Sequence, residues 1–182
     1  MEPIKIVITD YIEQDLKWEE EQLARYDHVT FEYHQLKFAP QEELIAAIGD
    51  ADVILVNMTA MTAEIIGQLK KCKLIIRHGV GYDNVDVAAA TARGIRVAYE
   101  PDYCTDEVAE HAIALMLGAW RKLAIGRKVL EESSRNGIWN FEQIYPISGL
   151  MGKTVGIVGC GRIGSTVLAR LRSFGFEFLV CD

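Results

Sequence analysis

The stretch from Val155 to Asp182 constrains the chain more than any other. It reads Val-Gly-Ile-Val, then Gly159-Cys160-Gly161-Arg162-Ile163-Gly164, then an amphipathic run to Gly175, then Phe178-Leu179-Val180-Cys181-Asp182. The apolar run Val155–Val158 is short and β-branched, as a strand buried on both faces should be, and the glycine-rich segment breaks it into a helix start. Seventeen residues separate Gly164 from Asp182, which closes a second apolar run with a carboxylate. Strand, glycine turn, helix, strand and spaced acid together make a dinucleotide-binding pattern; a GxGxxG without that context is weak evidence.

Each part has a physical task. Gly159 permits a tight turn, Gly161 removes a side chain where backbone must approach a pyrophosphate, and Gly164 lets the helix lie close to the strand. The N–H groups of the first helical turn, around Arg162 and Ile163, face the phosphates with the positive end of the helix dipole behind them. Asp182 is placed to take both ribose hydroxyls, and its charge repels a 2′-phosphate, so the expected cofactor is NAD and not NADP. A doubly wound sheet needs further strands, and the strand ending at Asp182 would be left as an apolar edge. The sequence is therefore expected to be the N-terminal part of a longer protein, with 151–182 the first β-α-β unit of an incomplete NAD-binding domain.

Upstream, residues 1–100 alternate strand and helix patterns. Strands are expected at Ile4–Asp10, Val29–Tyr33, Val53–Val56, Leu74–Arg77 and Ile95–Ala98. Helices are expected at Leu16–Tyr26, from Pro40 to Ile48, from Thr62 to Leu69 and over Val85–Arg93, ended by Gly94. That rhythm implies a parallel sheet and an α/β domain of its own. Thr105 is a good N-cap residue with Asp106 and Glu107 behind it, opening a helix to about Lys122. Its apolar residues, Val108 through Leu123, cover more than one stripe, so the helix is expected to be buried between bodies, with His111 a packing histidine. A second helix to about Arg135 and an aromatic loop, Asn136–Phe141, complete a 101–150 connection between the domains.

A chain of 182 residues, half hydrophobic and a quarter charged, is ordinary for a globular protein with a core. A net charge of −7 without a Lys/Arg cluster argues against direct nucleic-acid binding. No apolar run reaches the roughly 18 residues of a membrane span and the N-terminus starts a strand, so a cytoplasmic location is expected. Cys72, Cys104, Cys160 and Cys181 have neither CxxC nor zinc-ligand spacing and are read as reduced thiols; no metal site is expected. His78-Gly79-Val80-Gly81-Tyr82-Asp83-Asn84 follows a strand's carboxyl end, where open α/β sheets place ligands. Its glycines expose backbone N–H groups able to hold a small carboxylate, although a turn needed only for packing reads the same. Arg77 and His78 are read as structural.

Arg77 through Asp86, then Arg93-Gly94-Ile95-Arg96-Val97, then Pro101 through Thr105-Asp106-Glu107-Val108-Ala109-Glu110-His111, then Trp139 and the glycine pattern, together resemble the D-isomer-specific 2-hydroxyacid dehydrogenases. The run from Pro101 to His111 looks most like the branch related to C-terminal binding protein. The resemblance implies a flavodoxin-like substrate domain followed by a Rossmann NAD-binding domain, acting on a small 2-hydroxy or 2-oxo acid. Gly79-Val80-Gly81 match the family's substrate-carboxylate loop, with Val80 also at the cofactor. Val108 matches a position beside the nicotinamide, and Arg162-Ile163 the pair at the pyrophosphate. The helix starting at Thr105 is similar to one used in homodimerisation. The family's catalytic set is an Arg, a Glu and a His, and the resemblance puts all three beyond residue 182. No catalytic residue is therefore expected within this chain, which by itself is expected to be inactive. An NAD-sensing, corepressor-like binding protein, or a non-catalytic fragment, is the competing reading.

Overall fold

The computed structural model describes residues 2–182, which divide after Tyr103 into two compact units, the second being Cys104–Asp182. In the first, strands β1 (Ile4–Ile8), β2 (Val29–Tyr33), β3 (Val53–Val56), β4 (Leu74–Arg77) and β5 (Arg96–Tyr99) alternate with helices α1 (Lys17–Leu23), α2 (Gln41–Ile48), α3 (Ala63–Gln68) and α4 (Val87–Ala92). The five strands form one parallel sheet in the order β2-β1-β3-β4-β5. This is the flavodoxin-like doubly wound order, and its switch point lies between β1 and β3. The register sets Val7 beside Ile54 and Ile54 beside Ile75, and all three are fully buried. Leu44 and Ile48 of α2, Ile65 and Ile66 of α3, and Ala90 of α4 close on the same core. Strands covered on both faces need apolar side chains at successive positions, which is why β3 reads Val-Ile-Leu-Val without alternation.

Several element ends differ from the sequence expectation. Strand β1 stops at Ile8; the Thr9 N–H still closes the ladder on the Leu55 carbonyl (2.9 Å), and the Asp10 side chain is buried beyond it. Helix α1 is shorter than its pattern at both ends, and no side chain caps its start. Helix α4 begins at Val87 and not at Val85: Val85 pairs with Met61 in an isolated parallel bridge, and the Asp86 carboxylate caps the helix by accepting the Ala89 N–H at 2.8 Å.

The second unit holds α5 (Thr105–Trp120), α6 (Leu123–Asn136), β6 (Thr154–Val158), α7 (Arg162–Leu171) and β7 (Glu177–Cys181). Thr105 is not the N-cap of α5. It is already helical, and Cys104 holds the cap position without a side-chain hydrogen bond. The long helix ends at Trp120 because Lys122 takes a left-handed conformation (φ 51°), and α6 restarts behind it. Within this unit α6 and α7 cover only part of α5: Ala109 is its one buried residue, Leu115 is 61% exposed and His111 lies on the surface. The chain alone thus leaves most of α5 and His111 uncovered, where the sequence predicts a helix buried between bodies. Arg170 of α7 ties the start of α5 down, donating to the Asp106 carboxylate at 2.7 Å and to Glu110 at 3.0 Å.

Strands β6 and β7 pair in parallel, with Ile157 opposite Val180. Ile157 is buried, whereas Val158 is 90% exposed. Strand β6 is thus covered on one face and not on both, since two strands and α7 provide only one layer.

Candidate functional site

In the first unit the chain leaves β4 through Arg77 and His78, and the His78 N–H donates to the Val56 carbonyl at 2.8 Å. Gly79 follows with φ 144°, a conformation that disfavours any side chain, and a Cβ there would collide with the Arg77 guanidinium. The Gly79 N–H donates to the Arg77 carbonyl at 3.0 Å, and the Gly79 carbonyl accepts from Glu100 at 3.2 Å. That removes Gly79 from the three expected carboxylate donors. The N–H groups of Val80 and Gly81 have no acceptor among the described residues. These two are the donors the loop still offers to a ligand, beside an exposed Tyr82 whose ring lies 5.0 Å from that of Tyr99. His78 Nδ1 lies 3.6 Å from a Glu13 carboxylate oxygen at the surface, and the Arg77 guanidinium lies against Gly79.

Sequence reasoning passed over two residues that build this end of the sheet. Asp10 is 4% exposed and has no cation partner among the described residues; five neutral donors converge on its carboxylate. They are the N–H groups of Asn57 (3.2 Å), Met58 (2.7 Å) and Thr59 (3.2 Å) and the hydroxyls of Thr9 (2.8 Å) and Thr59 (2.7 Å). Burial pushes the carboxyl pKa up, but the hydrogen bonds, led by the Thr59 hydroxyl and the Met58 N–H, together hold it below the usual carboxylate value. Asn84 is the second. Its side-chain amide donates to the backbone carbonyls of Asn57 (3.3 Å) and Thr59 (2.9 Å), while the Asn84 backbone carbonyl accepts the Met61 N–H at 2.7 Å. An aspartate closing the first strand was the available signal for Asp10; nothing local marked Asn84 as its counterpart.

The second unit brings Gly159, Gly161, Arg162, Ile163, Gly164 and Asp182 together around one turn. Gly159 takes φ 88° and donates its N–H to the Cys181 carbonyl at 2.7 Å, joining the turn to the end of β7. The Cys160 N–H donates to the Asp182 carboxylate at 2.9 Å, so the acid sits directly against the glycine turn. Gly161 occupies the N-cap of α7 with open space where a Cβ would stand and no side chain capping the helix. A Cβ on Gly164 would lie 2.0 Å from the Gly159 carbonyl oxygen and 3.3 Å from Ile157 Cγ2, so the helix start approaches the strand as only glycine permits. The arrangement leaves a helix N-terminus, a side-chain-free approach and an adjacent carboxylate, which fits the phosphate and ribose portions of a dinucleotide. Val108 lies elsewhere: it is exposed in the first turn of α5, which is tied to the C-terminal end of α7 and not to its first turn.

A flavodoxin-like unit with a donor loop at the carboxyl end of β4, followed by a glycine-turn β-α-β unit, defines an α/β protein with a candidate dinucleotide site. The chain belongs to the family described as D-isomer specific 2-hydroxyacid dehydrogenase, catalytic domain, which matches residues 6–175. It is 43% identical over 141 residues to the D-3-phosphoglycerate dehydrogenase of Mycobacterium leprae, covering 77% of this chain and 26% of that protein. It is 36% identical over 154 residues to the glyoxylate reductase of Thermofilum pendens, covering 82% and 44%. Among solved structures it is similar to a D-lactate dehydrogenase from Aquifex aeolicus complexed with NAD and lactic acid, with a TM-score of 0.80 and 27% identity over 97% of this chain and 51% of that one. The chain thus spans about a quarter of the D-3-phosphoglycerate dehydrogenase and about half of the lactate dehydrogenase structure.

Proposed function

We propose that the protein to which these residues belong is an NAD-dependent oxidoreductase that moves hydride between nicotinamide C4 and C2 of a small 2-hydroxy or 2-oxo acid. The observation that carries this reading is the glycine turn with Asp182 hydrogen-bonded to the Cys160 N–H, inside a chain of this family. Bound NAD supplies the hydride chemistry. The chain's own residues supply position: the first turn of α7 holds pyrophosphate, Asp182 takes the ribose hydroxyls, and the N–H groups of Val80 and Gly81 hold the substrate carboxylate. In this reading 1–100 is the substrate domain, 101–150 carries the dimer-forming helices with Val108 near the nicotinamide, and 151–182 opens the NAD-binding domain. The enzyme reading is preferred to a corepressor-like one because the relatives above carry dehydrogenase and reductase names. A cytoplasmic setting fits the four free thiols.

Fluorescence titration with NADH and NADPH tests the cofactor assignment. Tighter NADH binding is expected, and Asp182→Asn should narrow the preference by about tenfold, the scale of one hydrogen bond to a charged group. Preference for NADPH in the unaltered protein would refute the role given to Asp182. With the family's Arg, Glu and His placed after residue 182 by the resemblance, the 182-residue chain itself is proposed to bind without turnover; NADH-dependent reduction of glyoxylate by it would contradict that.

A further inference from the structure

The switch point of the five-stranded sheet, between the carboxyl ends of β1 and β3, is where a sheet of this order ordinarily receives an anionic ligand. Here three successive N–H groups, those of Asn57, Met58 and Thr59, already converge on an anion, and that anion is the protein's own Asp10 carboxylate. A nest of backbone donors filled from within is closed to ligand phosphate. The donors left open lie across β3 and β4, at Val80 and Gly81.

A set of hydrogen bonds runs from the first place to the far end of the loop that carries the second. Asp10 holds the 57–59 turn by its N–H side and the Thr59 hydroxyl. The carbonyl side of the same turn accepts both Asn84 amide bonds. Asn84 in turn fixes the far end of the donor loop, where Val85 N–H closes on the Tyr82 carbonyl at 3.0 Å and Asp86 N–H on the Met61 carbonyl at 2.9 Å. The near end is held by the His78 N–H on Val56 and the Gly79 N–H on Arg77. Between these anchors Val80 and Gly81 have no hydrogen bond to another described residue, so their orientation depends on both ends being fixed.

We infer that Asp10 and Asn84 are positioning residues for the substrate loop: Asp10 fixes the turn after β3, the turn fixes Asn84, and Asn84 sets the direction of the Val80 and Gly81 N–H groups. The inference rests on the reading of that loop as the carboxylate site. Neither residue touches substrate. The long sequence separations, 47 to 49 residues from Asp10 to the turn and 25 or 27 from the turn to Asn84, make this a device of the folded sheet.

The test uses the 182-residue protein labelled with nitrogen-15, with glyoxylate as the probe. Saturable shifts are expected at the Val80 and Gly81 amides. Asn84→Ala and Thr59→Val should each weaken glyoxylate by about tenfold, as misalignment of one loop N–H on the glyoxylate carboxylate implies. Thr59→Ser keeps the hydroxyl on Asp10 and should bind as the unaltered protein does. Ile75→Val, a core change in β4 that removes none of these hydrogen bonds, should lower stability without changing glyoxylate affinity. Unaltered affinity in folded Asn84→Ala and Thr59→Val, or an equal loss in Ile75→Val, would overturn the inference. If Asn84→Ala does not fold, the Thr59 pair decides alone. If the unaltered protein binds no glyoxylate, the carboxylate reading of the loop fails, and amide order parameters at Val80 and Gly81 still judge the coupling. A fall below about 0.6 in Thr59→Val but not in Thr59→Ser supports it, and unchanged values refute it.

Discussion

Gly161→Ala should leave the second unit folded and weaken NADH, which separates the two demands made on a glycine turn. An added Cβ at Gly161 meets nothing within 4 Å, and φ there is −64°, outside the left-handed range that demands glycine. The folded state therefore bears no clash, and the loss of glycine's freedom in the unfolded chain favours alanine by about 0.4–1 kcal/mol. The cost falls on the ligand. A backbone N–H brings a phosphate oxygen to about 2.9 Å from nitrogen, whereas a methyl carbon needs about 3.5–4 Å from its neighbours. The pyrophosphate must then withdraw by about 1 Å, and losing one charge-assisted hydrogen bond costs about 1.5–3 kcal/mol, or about 10- to 150-fold in affinity. Gly164→Ala is the counterpart: its Cβ would stand 2.0 Å from the Gly159 carbonyl oxygen, a backbone atom that cannot swing away. Moving α7 off the strand should cost about 1–3 kcal/mol of stability as well as NADH affinity. Urea denaturation followed by circular dichroism, with NADH fluorescence titration on the same samples, reads both quantities. Gly161→Ala binding NADH as the unaltered protein does, or losing as much stability as Gly164→Ala, would refute the reasoning.

The Asp10 carboxyl titrates below its ordinary value in the folded protein, so its contribution to stability is complete above the normal carboxylate range and is lost as pH falls through the lowered value. Urea midpoints from pH 7 to pH 3 should fall on the acid side, and Asp10→Asn should start lower at pH 7 and show a shallower decline; an unchanged slope would remove Asp10 from the account. Leu115 is the most exposed large apolar residue of α5, and Leu115→Lys should abolish the proposed homodimer in sedimentation equilibrium. A dimer that persists places the interface elsewhere. Burial pushes the Cys72 thiol pKa up while Cys181 is exposed, so iodoacetamide should label Cys181 before Cys72, as peptide mass spectrometry would show. The reverse order would contradict the placement of β7.

What was legible in the amino-acid order is local. The continuous apolar runs of β3 and β4, separated by helix-length segments, announce parallel strands, because a strand covered on both faces has no polar side to display. The spacing of Gly159, Gly161 and Gly164 announces a turn into a helix, because each glycine answers a conformational or steric demand made within a few residues. Other features were decided only when distant segments met. The Gly79 N–H looked available until the loop folded back on Arg77, and α5 looked buried because periodicity reports an apolar face without reporting what covers it. Asp10 stands at the end of an ordinary strand, yet its five donors come largely from residues 47 to 49 positions away. Side-chain pattern encodes conformation and polarity along the chain. Which donors are already taken, and which remain for a ligand, depends on strand order and register, and those are properties of the assembled sheet.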